Sequence, residues 1–277
     1  MNNNQENQNH NIHLNSGNYN ANIHGDYNDN RQTIYNPPPE KPFKPIKDIP
    51  KNGNPNFVGR TDELKKVHEE LYQQENNKVA ISSVSGMGGV GKTELAIQYA
   101  RRYQNDYSGG ICWLNVRDTD LANQIIQFIQ QKMDLKVPQK DIQENPLTLE
   151  QQVAWCWQNW QPPSGLVLAI FDDVTEYKDI KKLLPRTDNQ RFKLLITTRQ
   201  RRLDTNLVDI PLDVLSENEA LSLLTGILGE ENSRIEDELQ TAKDLCKWLG
   251  YLPLGLELVG RCLVEDADLS IADMLEV

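Results

Sequence analysis

The run Gly86-Met87-Gly88-Gly89-Val90-Gly91-Lys92-Thr93 has the residue types and spacing needed to hold a chain of phosphates. Phosphates need several aimed hydrogen-bond donors and a positive charge. The glycines let backbone N–H groups converge on a β-phosphate without Cβ clashes. A helix opening near Gly91 adds the positive end of its dipole. Lys92 can reach the β- and γ-phosphates, and the Thr93 hydroxyl can ligate magnesium. Glu94, the next residue, is counted with the loop. The ligand expected from this run is ATP or ADP with magnesium.

A carboxylate pair supplies the second half of such a site. Asp172-Asp173 closes the apolar run Leu166–Phe171, which reads as a strand. Ligands of a parallel sheet gather at that edge. Asp172 is expected to hold magnesium through water, and Asp173 to orient or deprotonate an attacking water. Side by side, the two carboxylates repel unless a cation lies between them, which again suggests a metal. Arg199 follows another apolar run, Phe192–Thr197, and is placed to touch a γ-phosphate. A surface arginine, or one paired with a nearby aspartate, is the plainer alternative.

These residues require a particular scaffold. Strands are expected at Val79–Val84, Ile111–Val116, Leu166–Phe171, Phe192–Thr197 and Val208–Leu215, with helices at Asp62–Gln74, Lys92–Tyr103, Leu121–Met133 and Leu149–Trp160. Alternation of this kind predicts an α/β fold: a parallel sheet with helices on both faces. Beyond Ser216 the pattern is helical. Ser216-Glu217-Asn218-Glu219 reads as a capping box opening a helix to Leu228. Ile235–Leu249 and Leu254–Val264 complete a small helical subdomain.

The sequence divides into an Asn-rich leader (1–36), a Pro- and Lys-rich linker (37–55), the phosphate-binding domain (56–215) and the helical subdomain (216–277). The leader cannot supply a packed core and is expected to be disordered. Within it Gly17-Asn18-Tyr19-Asn20-Ala21-Asn22 is echoed by Gly25-Asp26-Tyr27-Asn28-Asp29-Asn30. A net charge of −11 argues against nucleic acid or anionic lipid as a partner. Cys112, Cys156, Cys246 and Cys262 lie in apolar stretches without metal-ligand spacing and are expected to be buried thiols in a cytoplasmic protein. No run approaches a membrane span, and no secretory leader is expected.

Together these residues resemble the NB-ARC domain of apoptotic ATPases, plant disease-resistance proteins and bacterial STAND signalling ATPases. The resemblance covers Asn56 to Val264. Phe57-Val58-Gly59-Arg60 resembles the opening motif that lines the adenine pocket. Phe171-Asp172-Asp173-Val174 resembles the Walker B motif, and Thr197-Thr198-Arg199 the sensor motif. Gly250-Tyr251-Leu252-Pro253-Leu254 is similar to the Gly-Leu-Pro-Leu motif, whose proline packs on the base. The resemblance therefore adds Phe57, Val58, Arg60 and Pro253 to the nucleotide-binding residues and makes Arg199 a γ-phosphate sensor. Family members continue into a winged-helix domain with a His-Asp motif. This sequence stops at Val277 with no histidine after His68, so the closed resting state is expected to be incomplete here.

The resemblance implies an ATP/ADP switch that self-associates on activation and acts on an unidentified effector. A steadily turning P-loop ATPase is the alternative enzyme. A third reading is an interaction protein with a structural nucleotide site, because the leader repeat is similar to amyloid-like signalling segments. Asn ladders and stacked tyrosines suit cross-β pairing. In that reading a peptide of residues 9–36 forms thioflavin-positive fibrils, and its Tyr19→Pro, Tyr27→Pro version does not. A wild-type peptide that stays soluble as a forced oligomer leaves only a solvated leader.

Overall fold

The computed structural model describes residues 11–14, 17–20, 44–72, 80–186, 189–205, 207–229 and 233–276. Residues 1–42 and 43–277 form two separate units. In the first, β1 (Asn11–Leu14) and β2 (Gly17–Asn20) pair antiparallel, with Ile12 opposite Tyr19. An isolated two-stranded hairpin is at best marginally stable in water. The second copy of the repeat, Gly25–Asn30, lies outside the described residues.

The second unit runs α1 (Thr61–Tyr72), β3 (Ala80–Ser85), α2 (Lys92–Arg102), β4 (Gly110–Asn115), α3 (Leu121–Met133), α4 (Leu149–Asn159), β5 (Val167–Val174), α5 (Tyr177–Lys181), β6 (Phe192–Thr198) and β7 (Val208–Pro211). Helices α6 (Glu217–Leu228), α7 (Arg234–Asp237), α8 (Leu239–Trp248), α9 (Pro253–Glu265) and α10 (Asp273–Glu276) follow. The five strands β3–β7 are all parallel, in the order β4-β5-β6-β3-β7. This is the expected α/β architecture, with β3 inside the sheet.

Each face of the sheet has its own core. Leu95, Ala96 and Tyr99 of α2 and Leu64, Val67 and Leu71 of α1 pack on one face with Leu168, Ile170 and Leu195. On the other, Ile125 and Ile129 of α3 and Val153, Cys156 and Trp157 of α4 meet Ala169, Phe171 and Leu194. Strands β5 and β6 are covered on both sides and bury side chains on both faces, mostly apolar ones, with Lys193 a buried exception in β6. All five strands end at one edge of the sheet, so the segments following them meet there.

Several elements differ from the sequence pattern. Strand β5 does not stop at Phe171 but runs through the aspartate pair to Val174. The expected helix over 235–249 is broken at Glu238 (φ −119°, ψ 36°) into α7 and α8. Strand β7 ends at Pro211, which cannot donate a further ladder bond. Residues 44–50, read as linker, are bonded to the outer strand: Ile111 N–H donates to Ile46 O (2.7 Å) and Asp48 N–H to Ile111 O (3.0 Å). Strand β4 thus gains a covered edge. Cys262 is exposed on α9, unlike the three other cysteines. Its helix turns Leu256, Gly260 and Leu263 inward instead.

Trp160 fixes the end of α4. It is fully buried, stacks near Trp157 (6.2 Å between centroids), and donates its indole N–H to Gly109 O (3.1 Å). Trp160→Ala is expected to lower the unfolding free energy by about 3–5 kcal/mol, read as a reduced urea midpoint. A change below about 1 kcal/mol would show that this core does not depend on the ring.

Candidate functional site

The C-terminal edge of the sheet carries the loop Gly86–Gly91 between β3 and α2. The loop requires unusual backbone angles: Gly89 has φ 81° and Gly91 φ 95°. Gly91 ends the loop as the residue before the first turn of α2, whose N-terminus faces the loop. Lys92 folds back over it, its amine donating to the carbonyls of Gly86 (2.9 Å) and Met87 (2.8 Å). Burial lowers the pKa of the Lys92 amine, and the charges of Arg199 and Arg117 add to that; Asp173 and Asp172 oppose it.

Thr93 Oγ1 donates to the Asp172 carboxylate (3.0 and 3.2 Å to the two oxygens). From the other side Thr197 Oγ1 also donates to Asp172, while accepting the Asp173 N–H (2.8 Å). Only 7% of Asp172 is exposed. Burial raises its pKa; the Thr197 and Thr93 hydroxyls and the charge of Lys92 offset part of this, while Asp173 adds to it. Oxygen donors from Thr93 and Asp172 therefore converge beside the phosphate loop. Magnesium accepts such donors and takes the rest of its shell from water and phosphate. A cation there would also relieve the burial of the Asp172 charge. The residues fit the ion.

Asp173 sits on a bulge. Phe171 pairs with Ile196, but Val174 pairs with Thr198, so β5 holds one residue more than β6 across this step. Asp173 takes up the difference in the left-handed region (φ 60°). Bulges re-aim side chains next to functional sites. Here the carboxylate meets Arg117, whose Nη2 donates to Oδ1 and whose Nε lies 2.9 Å from Oδ2. Arg199 Nε stands farther off, 3.9 Å from Asp173 Oδ1. The repulsion between the two aspartates, for which the sequence suggested a metal, is here relieved by a guanidinium and two hydroxyls.

Of the residues singled out in the sequence, Phe57, Val58, Arg60, Gly88, Gly89, Val90, Gly91, Lys92, Thr93, Glu94, Asp173, Arg199 and Pro253 line one cavity of about 330 Å³. Gly86 and Met87 adjoin it through the Lys92 bonds, and Asp172 through Thr93. Arg60 is tied to the scaffold: its guanidinium donates to Asp213 O and to Glu63 (3.1 Å). Glu94 accepts from Gln98 Nε2 (2.7 Å).

Asn52, Asn54 and Arg117 escaped the sequence reading, and Thr197 was read only as part of a motif. Asn52 and Asn54 come from the stretch read as linker. Thr197 bridges both aspartates. Arg117 follows β4, and its position at the C-terminal end of a strand was the available signal.

The helical layer forms the remaining wall, with Leu215, Leu223, Pro253 and Leu254. It touches the loop through the main chain: Leu254 N–H donates to Gly89 O (3.2 Å). A Cβ on Gly89 would lie 3.0 Å from Leu254 Cβ. On the far side Glu219 closes a capping box with Ser216 at the start of α6. Its carboxyl is held below the ordinary value: burial acts the other way, but the Ser216 hydrogen bonds and Arg60 outweigh it.

The NB-ARC domain family matches residues 60–234. The chain belongs to the NB-ARC family. Membership implies a nucleotide-binding fold. The regulatory protein AfsR of Streptomyces griseus is 29% identical over 212 residues, which cover 76% of this chain and 21% of that protein. A putative disease resistance protein of Arabidopsis thaliana, At1g59780, is 24% identical over 75% of this chain and 23% of its own length. This NB-ARC chain thus spans less than a quarter of the length of either relative. A STAND protein with a tetratricopeptide repeat sensor from Pyrococcus horikoshii superimposes with a TM-score of 0.47 at 23% identity, covering 81% of this chain and 32% of that one. Among the described residues no helix is long and apolar enough to cross a membrane.

The buried carboxylate gives a pH-dependent outcome. Since the folded-state pKa of Asp172 lies above its ordinary value, the charged form opposes folding; this group favours folding while protonated and loses that effect as pH rises through its folded pKa. Without nucleotide and metal, Asp172→Asn is therefore expected to unfold at higher urea than wild type at pH 7. The gap should narrow as pH falls through the carboxylate range. An Asn variant less stable at neutral pH would mean that the two threonine hydroxyls outweigh the burial.

Proposed function

We propose that this NB-ARC chain is an ATP/ADP switch in which the bound nucleotide sets the position of the helical layer. The observation that carries the reading is the shared cavity: the phosphate loop forms one wall and the N-terminus of α9 another, joined by the Leu254–Gly89 bond. A molecule bound there touches both. Residues 56–215 hold the phosphates, and residues 216–277 respond. Two relatives, a regulatory protein and a disease resistance protein, accord with a signalling role.

The parts divide the work as follows. Backbone N–H groups of Gly88–Gly91 and the N-terminus of α2 meet the phosphates. Lys92 exchanges the carbonyls of Gly86 and Met87 for phosphate oxygens, a stronger partner for an ammonium. Thr93 and Asp172 would hold magnesium, which neutralises phosphate charge. Val58, Leu223 and Pro253 form the apolar side where an adenine stacks. Asp173 orients the attacking water only once it is released from its ion pair with Arg117, a requirement that favours slow hydrolysis and a switch over steady turnover. Exchange of ADP for ATP then opens the way to self-association and to the effector.

Lys92→Ala tests the phosphate site. Affinity for ATP and ADP is expected to fall at least about tenfold, near 1.4 kcal/mol, by calorimetry. Unchanged binding would remove the loop from the site. Freshly purified wild type is expected to carry ADP, and GTP to compete poorly with a labelled ATP analogue. GTP competing as well as ATP would exclude the adenine placement.

A further inference from the structure

Arg117 has no place in the motifs above, yet it makes the best-formed ion pair of the site. Its guanidinium holds Asp173 with two contacts of 2.9 Å each. That fork matches a carboxylate and a phosphate equally well. Arg117 is one-third exposed and sits in the turn after β4, beside Asp118 with φ 56°, so its anchor is a loop and not the sheet. It lies close enough to Lys92 to act on its charge, as does Arg199. Arg199 stands against the same Asp173 carboxylate and beside Gly88, where an added Cβ would come within 3.8 Å of its guanidinium. Three cations thus surround the place where a phosphate chain would end. The one anion among them that is not engaged by threonine hydroxyls is Asp173.

We propose that Asp173 stands in for a terminal phosphate, and that Arg117 transfers from this carboxylate to the γ-phosphate when a nucleoside triphosphate enters. The proposal rests on the nucleotide reading above and adds to it a residue that distinguishes triphosphate from diphosphate. ADP leaves the Arg117–Asp173 pair closed, because it carries no group at that position. ATP opens it, since a γ-phosphate carries more charge than a carboxylate and offers the same paired oxygens. Opening the pair also releases Asp173 toward water, so a single exchange of partners couples recognition of the third phosphate to the availability of the carboxylate. No bond is made or broken in this exchange. Asparagine tolerates the left-handed backbone of position 173 as aspartate does, so Asp173→Asn removes the competing charge without disturbing the bulge.

The test is equilibrium binding of ADP and of a non-hydrolysable ATP analogue, each with magnesium, to wild type, Arg117→Gln, Arg117→Lys, Asp173→Asn and the Arg117→Gln/Asp173→Asn double variant. Arg117→Gln is expected to weaken the analogue about tenfold, the loss of one charge-assisted contact, with ADP held within about twofold. Lysine, with charge but no fork, should recover part of that loss. Asp173→Asn should strengthen the analogue relative to ADP, and this gain should vanish in the double variant. Retained ADP binding shows that a variant is folded. Should Arg117→Gln not fold, the Asp173→Asn gain decides alone. If Arg117→Gln weakens both ligands alike or neither, or if Asp173→Asn weakens the analogue, the pair is a fixed strut and the proposal is wrong. That outcome leaves the nucleotide reading intact; a wild type that takes up neither ligand overturns both.

Discussion

Two threonine hydroxyls on one buried carboxylate hold this molecule's working edge together. Thr93 lies in the first turn of α2, Asp172 belongs to β5 and Thr197 to β6, and the Thr93–Asp172–Thr197 chain joins the three. Without it, an almost fully enclosed aspartate would have no solvation of its own, and the phosphate loop would be tied to the sheet only through its flanking elements. With it, the loop, the carboxylate pair and the start of the Thr197–Arg199 segment share one frame. Thr197 has a second role, since its oxygen accepts the Asp173 N–H and so fixes where the bulge begins. Everything more polar at this edge, from the Arg117 ion pair to the folded-back Lys92, is arranged around a fixed anion.

The cores on either side of the sheet explain why that frame can be rigid. Strands β5 and β6 bury side chains on both faces, so neither can slide by one residue without exchanging the faces of its whole apolar run. Among the described residues the register of β5 against β6 shifts at Asp172–Asp173, at the cavity edge of the sheet. Helical segments from α6 onward form a separate apolar cluster around Leu223, Leu224, Leu245 and Leu256. The cavity therefore lies where the sheet layer meets the helical layer, within the compact unit of residues 43–277.

Much of this was legible in the sequence. The loop glycines, Lys92, Thr93 and the aspartate pair announce themselves by type and spacing, and the short runs Leu166–Phe171 and Phe192–Thr197 have the length and β-branched content of buried strands. The capping box at Ser216 was equally clear, because its two partners are local. What sequence could not show was partnership across space. Arg117 and Asp173 are far apart in the chain, and nothing near Arg117 marks it as the counter-ion. A repelling aspartate pair implied a cation, but not that a side chain would supply one. The Pro-rich stretch read as a spacer because prolines exclude helix; its docking on β4 depends on an edge strand that needed cover. The break at Glu238 is likewise tertiary, since the local pattern continues across it.

The seam between α9 and the phosphate loop is made from main-chain atoms, the N–H of Leu254 and the carbonyl of Gly89. A bond of that kind is indifferent to most sequence change. Side chains throughout the helical layer can drift, provided the fold keeps those two peptide groups in register, while a Cβ at Gly89, whose φ is 81°, would press on Leu254 Cβ at 3.0 Å. The link is thus robust to divergence in its components and brittle at one position. Such an arrangement lets a lineage refit the outer surface of α9 to new binding surfaces while the joint through which that surface feels the loop stays the same.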